Sequence, residues 1–206
     1  MARIVNGDRL EDNILHSVLP DEDSFGTAVF LDVETTGLSP ASDEVVELAL
    51  CLFEFSWETG EITQIVERYV GLREPGVPIS SQAARVHGLN LAAVRGKRLD
   101  DARVNAMLMR AEFLIAHNAP FDRGFVSRLY EICNRKPWAC SMSGIDWRGK
   151  GFASRGLQNL LRDHGITVNR SHRAEDDVLA TLQLLSCKGQ DGKSYFYELA
   201  RRVGRR

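Results

Sequence analysis

"FLDVETTGLSP", residues 30–40, decides how this chain is read. It begins as an apolar strand and then places Asp32 and Glu34 two positions apart. Successive side chains on a strand point to opposite faces, so the two carboxylates share one face while Leu31 and Val33 share the other. Two anions at that spacing repel, and burial raises the cost. A strand that has simply reached solvent is the plain explanation of such a pair. The next three residues weigh against it: Thr35, Thr36 and Gly37 are small, and are expected to leave backbone and hydroxyls open to a ligand. A divalent cation would relieve the repulsion, because carboxylate oxygens are the ligands a hard ion takes.

More acids stand where apolar faces are expected. Pro120 opens a helix over "FDRGFVSRLYEICN", with an apolar face of Phe121, Phe125, Leu129 and Ile132. Asp122 lies about 60° from the centre of that face. It reads either as a ligand or as an acid favoured by the helix N-terminus. In "HRAEDDVLATLQLL" (172–185), Ala174, Val178, Thr181, Leu182 and Leu185 form one stripe. Asp177 falls at its edge and Asp176 nearly opposite, which makes Asp177 the candidate ligand. His172 precedes Asp177 by about one and a half turns and is a candidate general base.

Around these motifs the pattern predicts strands at 28–33, 44–57 and 61–71 with tight links, an antiparallel meander. A short helix follows from about Ser81, then a helix over 101–112, a buried strand over 113–118 and the Pro120 helix. "PWACS" (137–141) is the expected fifth strand; helices over 155–165, 174–187 and 194–203 close the chain. The order predicts one α/β domain, a mixed sheet with helices packed on it, over 27–206, after an irregular leader at 1–26.

Composition narrows the function. The 206 residues suit a single domain. No apolar run could span a membrane and the N-terminus resembles no secretory signal, so the expected location is the cytoplasm. Cys51, Cys133, Cys140 and Cys187 form no C-x-x-C pair, which argues against zinc. The net charge of −2 argues against a broad duplex-DNA surface but allows a short strand held in a narrow cleft. The terminal "ARRVGRR" is the one basic cluster. Phosphate-binding loops and the nucleophile elbow are missing. His16, His87, His117 and His164 lack metal-ligand spacing.

"DVETTG", "HNAPFDRGF" and "HRAEDD" together resemble the three exonuclease motifs of the DEDD superfamily, in its His-containing branch. That branch includes the proofreading epsilon subunit of bacterial DNA polymerase III, ribonuclease T and oligoribonuclease. The likeness covers roughly residues 27–187. It implies a ribonuclease-H-like fold with a five-stranded mixed sheet. It also implies hydrolysis from a free 3′ end, releasing nucleoside 5′-monophosphates. Asp32, Glu34, Asp122 and Asp177 would hold two divalent ions, Mg²⁺ or Mn²⁺, and His172 would take the proton of the attacking water. Glu34 and the backbone near Thr35, Thr36 and Gly37 would meet the 3′-hydroxyl. Leu38 would press on a base, with Val86 and His87 completing the pocket; a helix-end hydrogen bond is the structural alternative for His87. His117 and Asn118 would shape the strand-to-helix turn, while Phe121 and Phe125 read as core.

The implied partners are the 3′ end of a single strand, DNA before RNA, and a DNA polymerase subunit. The alternatives are an exoribonuclease and a nucleic-acid-binding polymerase accessory subunit; the intact acid set speaks against a silent fold. Trp138 and Trp147 read equally as core or as substrate flanks, and "QNLL" (158–161) as core. Oligomeric state stays open.

Overall fold

The computed structural model describes residues 24–168 and 172–204. Residues 1–23 of the leader expected at 1–26, and the last two arginines of the basic cluster, lie outside the described residues.

Five strands form one sheet: β1 (Phe25–Thr35), β2 (Val45–Ser56), β3 (Ile62–Leu72), β4 (Phe113–Ala116) and β5 (Trp138–Cys140), in the order β3-β2-β1-β4-β5. β1, β2 and β3 pair antiparallel, as their tight links require; β4 and β5 join parallel, so the sheet is mixed. Helices cover both faces. This is why β1 and β2 are apolar almost throughout instead of alternating with polar residues.

The alternation still sorts the faces. Val29, Leu31 and Val33 of β1 pack under α3 (Asp101–Arg110) and α4 (Ala119–Leu129). Ala28 and Phe30 pack with α7 (Ala174–Ser186) and α8 (Tyr195–Val203). Asp32 and Glu34 continue that second face, so they point toward the start of α7. A β-bulge between Glu34 and Thr35 then breaks the register with β2 and re-aims the chain beyond the acids.

The remaining helices are α1 (Ser81–His87), α2 (Leu91–Val94), α5 (Ile132–Arg135) and α6 (Leu157–Asp163). Three expectations need correction. The helix expected over 121–134 breaks at Tyr130, which takes φ −130° and ψ 105°. Its ring is buried and its hydroxyl donates to Asp101 on α3 at 2.8 Å, a tertiary bond that helical periodicity cannot register. The short α2 is an addition to the expected elements; Asn90 starts it by accepting from the Ala93 N–H at 3.0 Å. β1 also begins earlier than the apolar run, at Phe25. No helix among the described residues is long and apolar enough to cross a membrane.

Candidate active site

Three elements deliver the acids to one end of the sheet. β1 brings Asp32 and Glu34, the N-terminal turn of α4 brings Asp122, and the first turn of α7 brings Asp177. Asp32, Glu34, Asp122, His172 and Asp177 line one cleft of about 310 Å³, together with His117, Phe121 and the 156–159 turn. Ligand atoms of Glu34, His172 and Asp177 all lie within 4.8 Å of one another, a spacing that fits a shared cation.

The acids lie far deeper than ordinary surface carboxylates. Asp122 is 2% exposed and Asp177 5%, whereas Asp176 is half-buried on the outer side of α7. Burial, reinforced by the charges of Asp177 and Glu47, pushes the Asp32 carboxyl well above the usual range. Burial and then the Asp32 charge push Glu34 up to about 9. Asp122 is raised by burial and by Asp32, against the pull of main-chain N–H groups of Val33 and Asp122 itself. Burial raises Asp177 too, although it accepts from the His172 N–H at 3.0 Å and from Gln158 Nε2 at 3.1 Å. Among the described residues no lysine or arginine forms an ion pair with any of these acids. Four crowded carboxyls of raised pKa, all oxygen donors, form a set suited to a hard divalent ion.

His172 stands at the rim, exposed, with φ 61°. A side chain with a Cβ takes that left-handed conformation only where its surroundings hold it. The bond from its own N–H to Asp177 is one such hold.

A second cavity, about 540 Å³, opens beside Glu34 and is lined by Thr35, Gly37, Leu38, Val86 and His87 among others. Leu38, 76% exposed, and Val86 form its apolar rim. One expectation fails here. The hydroxyls of Thr35 and Thr36 are not open to a ligand. Thr35 Oγ1 donates to the Gly37 carbonyl at 2.6 Å; Thr36 Oγ1 donates to Asp43 at 3.2 Å and accepts from the Glu44 N–H at 3.0 Å. They hold the 36–44 loop instead. Gly37 is small for the same loop: a Cβ there would meet the Asp43 carboxylate at 2.6 Å.

The two inward histidines of the motifs are fixed and neutral. His87 donates from Nε2 to the Thr35 carbonyl at 3.2 Å and accepts the Leu89 N–H at Nδ1, 3.0 Å. The helix-end bond named as the alternative is therefore present, and it ties α1 to β1 at the cavity wall. His117 must donate to the Arg155 carbonyl, at 2.9 Å, so its Nδ1 accepts from Ser141 Oγ, also 2.9 Å. Burial pulls its pKa down to about 4. Asn118 follows with φ 76° and turns β4 into α4.

Phe125 is core as expected, but Phe121 reaches the walls of both cavities. Trp147 is fully buried and Trp138 half-buried, and neither lines the acid cleft. In "QNLL", Leu160 and Leu161 are core while Gln158 serves Asp177.

Two residues escape the sequence reading. Glu47 of β2 lies directly across from Glu34 and is 1% exposed, paired with Arg173. A signal is available: Glu47 interrupts the apolar run "EVVELAL" on the same face as Cys51 and Phe53, so it needs a partner.

Comparisons with known proteins bear on the family and the fold. A family described as exonuclease, RNase T, matches residues 29–185. The DNA polymerase III PolC-type protein of Thermotoga maritima is 28% identical over 182 residues, covering 81% of this chain and 12% of that protein. The chain thus spans only a small part of such relatives. The DNA polymerase III subunit epsilon of Treponema pallidum is 26% identical over 172 residues, covering 75% of this chain and 73% of that one. Among solved structures, E. coli exonuclease I with a dT13 oligonucleotide superposes with a TM-score of 0.61 at 20% identity, over 78% of this chain and 40% of that chain. Exonuclease X with 5′ overhanging duplex DNA gives 0.53 at 22%, over 82% and 99%. These likenesses establish the shared ribonuclease-H-like α/β fold. Because the family match reaches every strand of the sheet and all four acids, the chain belongs to the RNase T family of exonucleases.

Proposed function

We propose that this exonuclease domain removes nucleoside 5′-monophosphates from the 3′ end of single-stranded nucleic acid, with DNA as its main substrate. The observation that carries the reading is the convergence of Glu34, Asp122 and Asp177, all buried, and half-buried Asp32, mutually repelling, on one cleft beside an exposed imidazole. Those acids would hold two divalent ions, Mg²⁺ or Mn²⁺, and bound ions would supply Lewis-acid stabilisation of the charge that develops in phosphodiester hydrolysis.

The chain's own residues do the rest. The cavity behind Leu38 and Val86 takes the terminal nucleoside, and Glu34, on its wall, meets the 3′-hydroxyl. His172, unprotonated, accepts a proton from the attacking water. Asp177 keeps the backbone of His172 in place through the N–H bond. Preference for DNA is supported by the DNA polymerase III names of the relatives and by the DNA bound in the structural neighbours. Those names also favour a polymerase subunit as partner and a place in the cytoplasm.

The test is a nuclease assay with Mg²⁺ or Mn²⁺ on 5′-labelled single-stranded DNA, the matching RNA and a mismatched primer-template. A ladder of shortening DNA products supports the reading. Faster digestion of RNA would make the chain an exoribonuclease. No digestion of any substrate would leave a binding module.

A further inference from the structure

The ion pair between Glu47 and Arg173 is built more elaborately than helix stability requires. Glu47 sits in β2 at the register position opposite Glu34. Two carboxylates facing one another across strands are destabilising unless one is neutralised. Arg173 does this with Nε at 3.2 and 3.1 Å from the two Glu47 oxygens and Nη2 at 2.5 Å. The same carboxylate accepts the Ala174 N–H at 3.0 Å.

That last bond makes Glu47 the cap of α7. The residue at the cap position, Arg173, offers no side-chain bond of its own to the helix. A serine or aspartate there would cap the helix locally. Instead the cap comes from a buried carboxylate on a different strand, and its partner is the residue next to His172. Such a pair is seldom the most stable way to fill a buried site, since apolar residues of similar size usually do as well. What the pair does achieve is alignment. It ties the first residue of α7 to the strand pair that carries Glu34, whereas Asp177, a turn further on, has its own hold from Gln158. It also holds the chain immediately after His172, while the His172 N–H bond to Asp177 holds the other side.

We propose that Glu47 and Arg173 are positioning residues that lock His172, in its left-handed backbone conformation, over the acid cleft. This rests on the reading of His172 as the base. The pair touches neither the substrate cavity nor the acid cleft wall, so its loss should act on turnover alone.

The experiment compares Glu47→Gln/Arg173→Met, in which the charges are removed together, with the parent chain, each with and without His172→Ala. Turnover, KM, melting temperature and Mn²⁺ binding by calorimetry are measured on all four. The expected result is kcat lower by about 10- to 100-fold, the range for groups that orient a reacting one, with KM and the Mn²⁺ constant within about twofold. In the His172→Ala background the same double change should leave the residual kcat unaltered. An equal loss in both backgrounds, a loss of Mn²⁺ affinity, or an unchanged kcat overturns the proposal. The base reading is judged separately, by His172→Ala alone. Should the double variant fail to fold, Glu47→Gln, which keeps the shape and an acceptor for Ala174, carries the same four-way comparison.

Discussion

The main-chain N–H of His172 donates to Oδ2 of Asp177 at 3.0 Å. The candidate base and a candidate metal ligand are therefore linked through the backbone, independently of the imidazole. Replacing Asp177 should disturb two functions at once, and replacing its neighbour should disturb neither.

Asp177→Asn is expected to lower turnover about a hundredfold or more, since several kcal/mol of charge stabilisation is at stake and about 1.4 kcal/mol is tenfold. Asp176→Asn, on the half-buried outer side of α7, should cost less than about threefold, the scale of an ordinary surface change. The two variants are assayed side by side with melting curves. The reverse order of effects would transfer the ligand role to Asp176.

Divalent ions should stabilise the protein. One ion that binds only the folded chain adds about 2.7 kcal/mol at a hundred times its Kd. Mg²⁺ or Mn²⁺ should therefore raise the melting temperature and excess EDTA should abolish activity. Glu34→Gln should blunt the melting shift. Full turnover in excess chelator would sink the metal reading.

The pH dependence of the metal-free protein follows from the same crowding. Glu34 is pushed up to about 9, so between its ordinary range and pH 9 the folded state holds a proton that the unfolded state has released. Asp32, Asp122 and Asp177 are shifted in the same direction. Stability from these groups is present at low pH and lost as pH rises toward 9. His117 has the opposite sign. Its pKa is pulled down to about 4, so its contribution is present above about 6.5 and lost as pH falls toward 4. In EDTA, melting temperature should rise as pH falls from 9, and less steeply below about 6.5, where His117 begins to oppose the acids. Saturating Mg²⁺ should remove the alkaline loss. An alkaline loss that persists at full strength with Mg²⁺ would mean that the acids do not share an ion.

How much of this is legible in sequence depends on how local the cause is. The meander and the inward turn of Asp122 and Asp177 follow from periods of two and 3.6 and the mixed sheet from the order of elements, and the structure reproduces them. Tyr130 and the threonine hydroxyls do not follow, because their partners, Asp101 and Asp43, are chosen by tertiary packing. Glu47 lies between these cases. Its intrusion in an apolar strand can be read, but its pairing with Arg173, 126 positions away, cannot.

His117 offers a test of the cleft wall. Its two nitrogens hold Ser141 and the Arg155 carbonyl, next to the turn that carries Gln158. His117→Ala should cost about 1–3 kcal/mol, the range for stranding a buried polar partner. Asn could replace one bond but not both, so His117→Asn should recover part of that loss. Thermal melts of the two variants decide it, and equal stability of all three proteins would show the bonds to be incidental.

The final expectation concerns His172 itself. A general base within reach of the attacking water takes its proton, and His172 is the imidazole at the rim of the acid cleft. Its position near Glu34 and Asp177, within 4.8 Å, leaves a second role open to test, that of a metal ligand. The two roles separate cleanly. As base, His172→Ala should lower turnover by about 10²–10⁴, the usual range for general-base loss, with Mn²⁺ binding and KM retained. As ligand, the same variant should lose Mn²⁺ affinity first, and excess Mn²⁺ should restore the rate. The geometry favours the base. The imidazole is exposed at the rim, whereas the carboxyls beneath it are buried and repel one another, so the oxygens have the stronger claim on a hard ion. Retention of near-full turnover in His172→Ala would remove the residue from the chemistry altogether and reduce its left-handed turn to a device for placing Asp177.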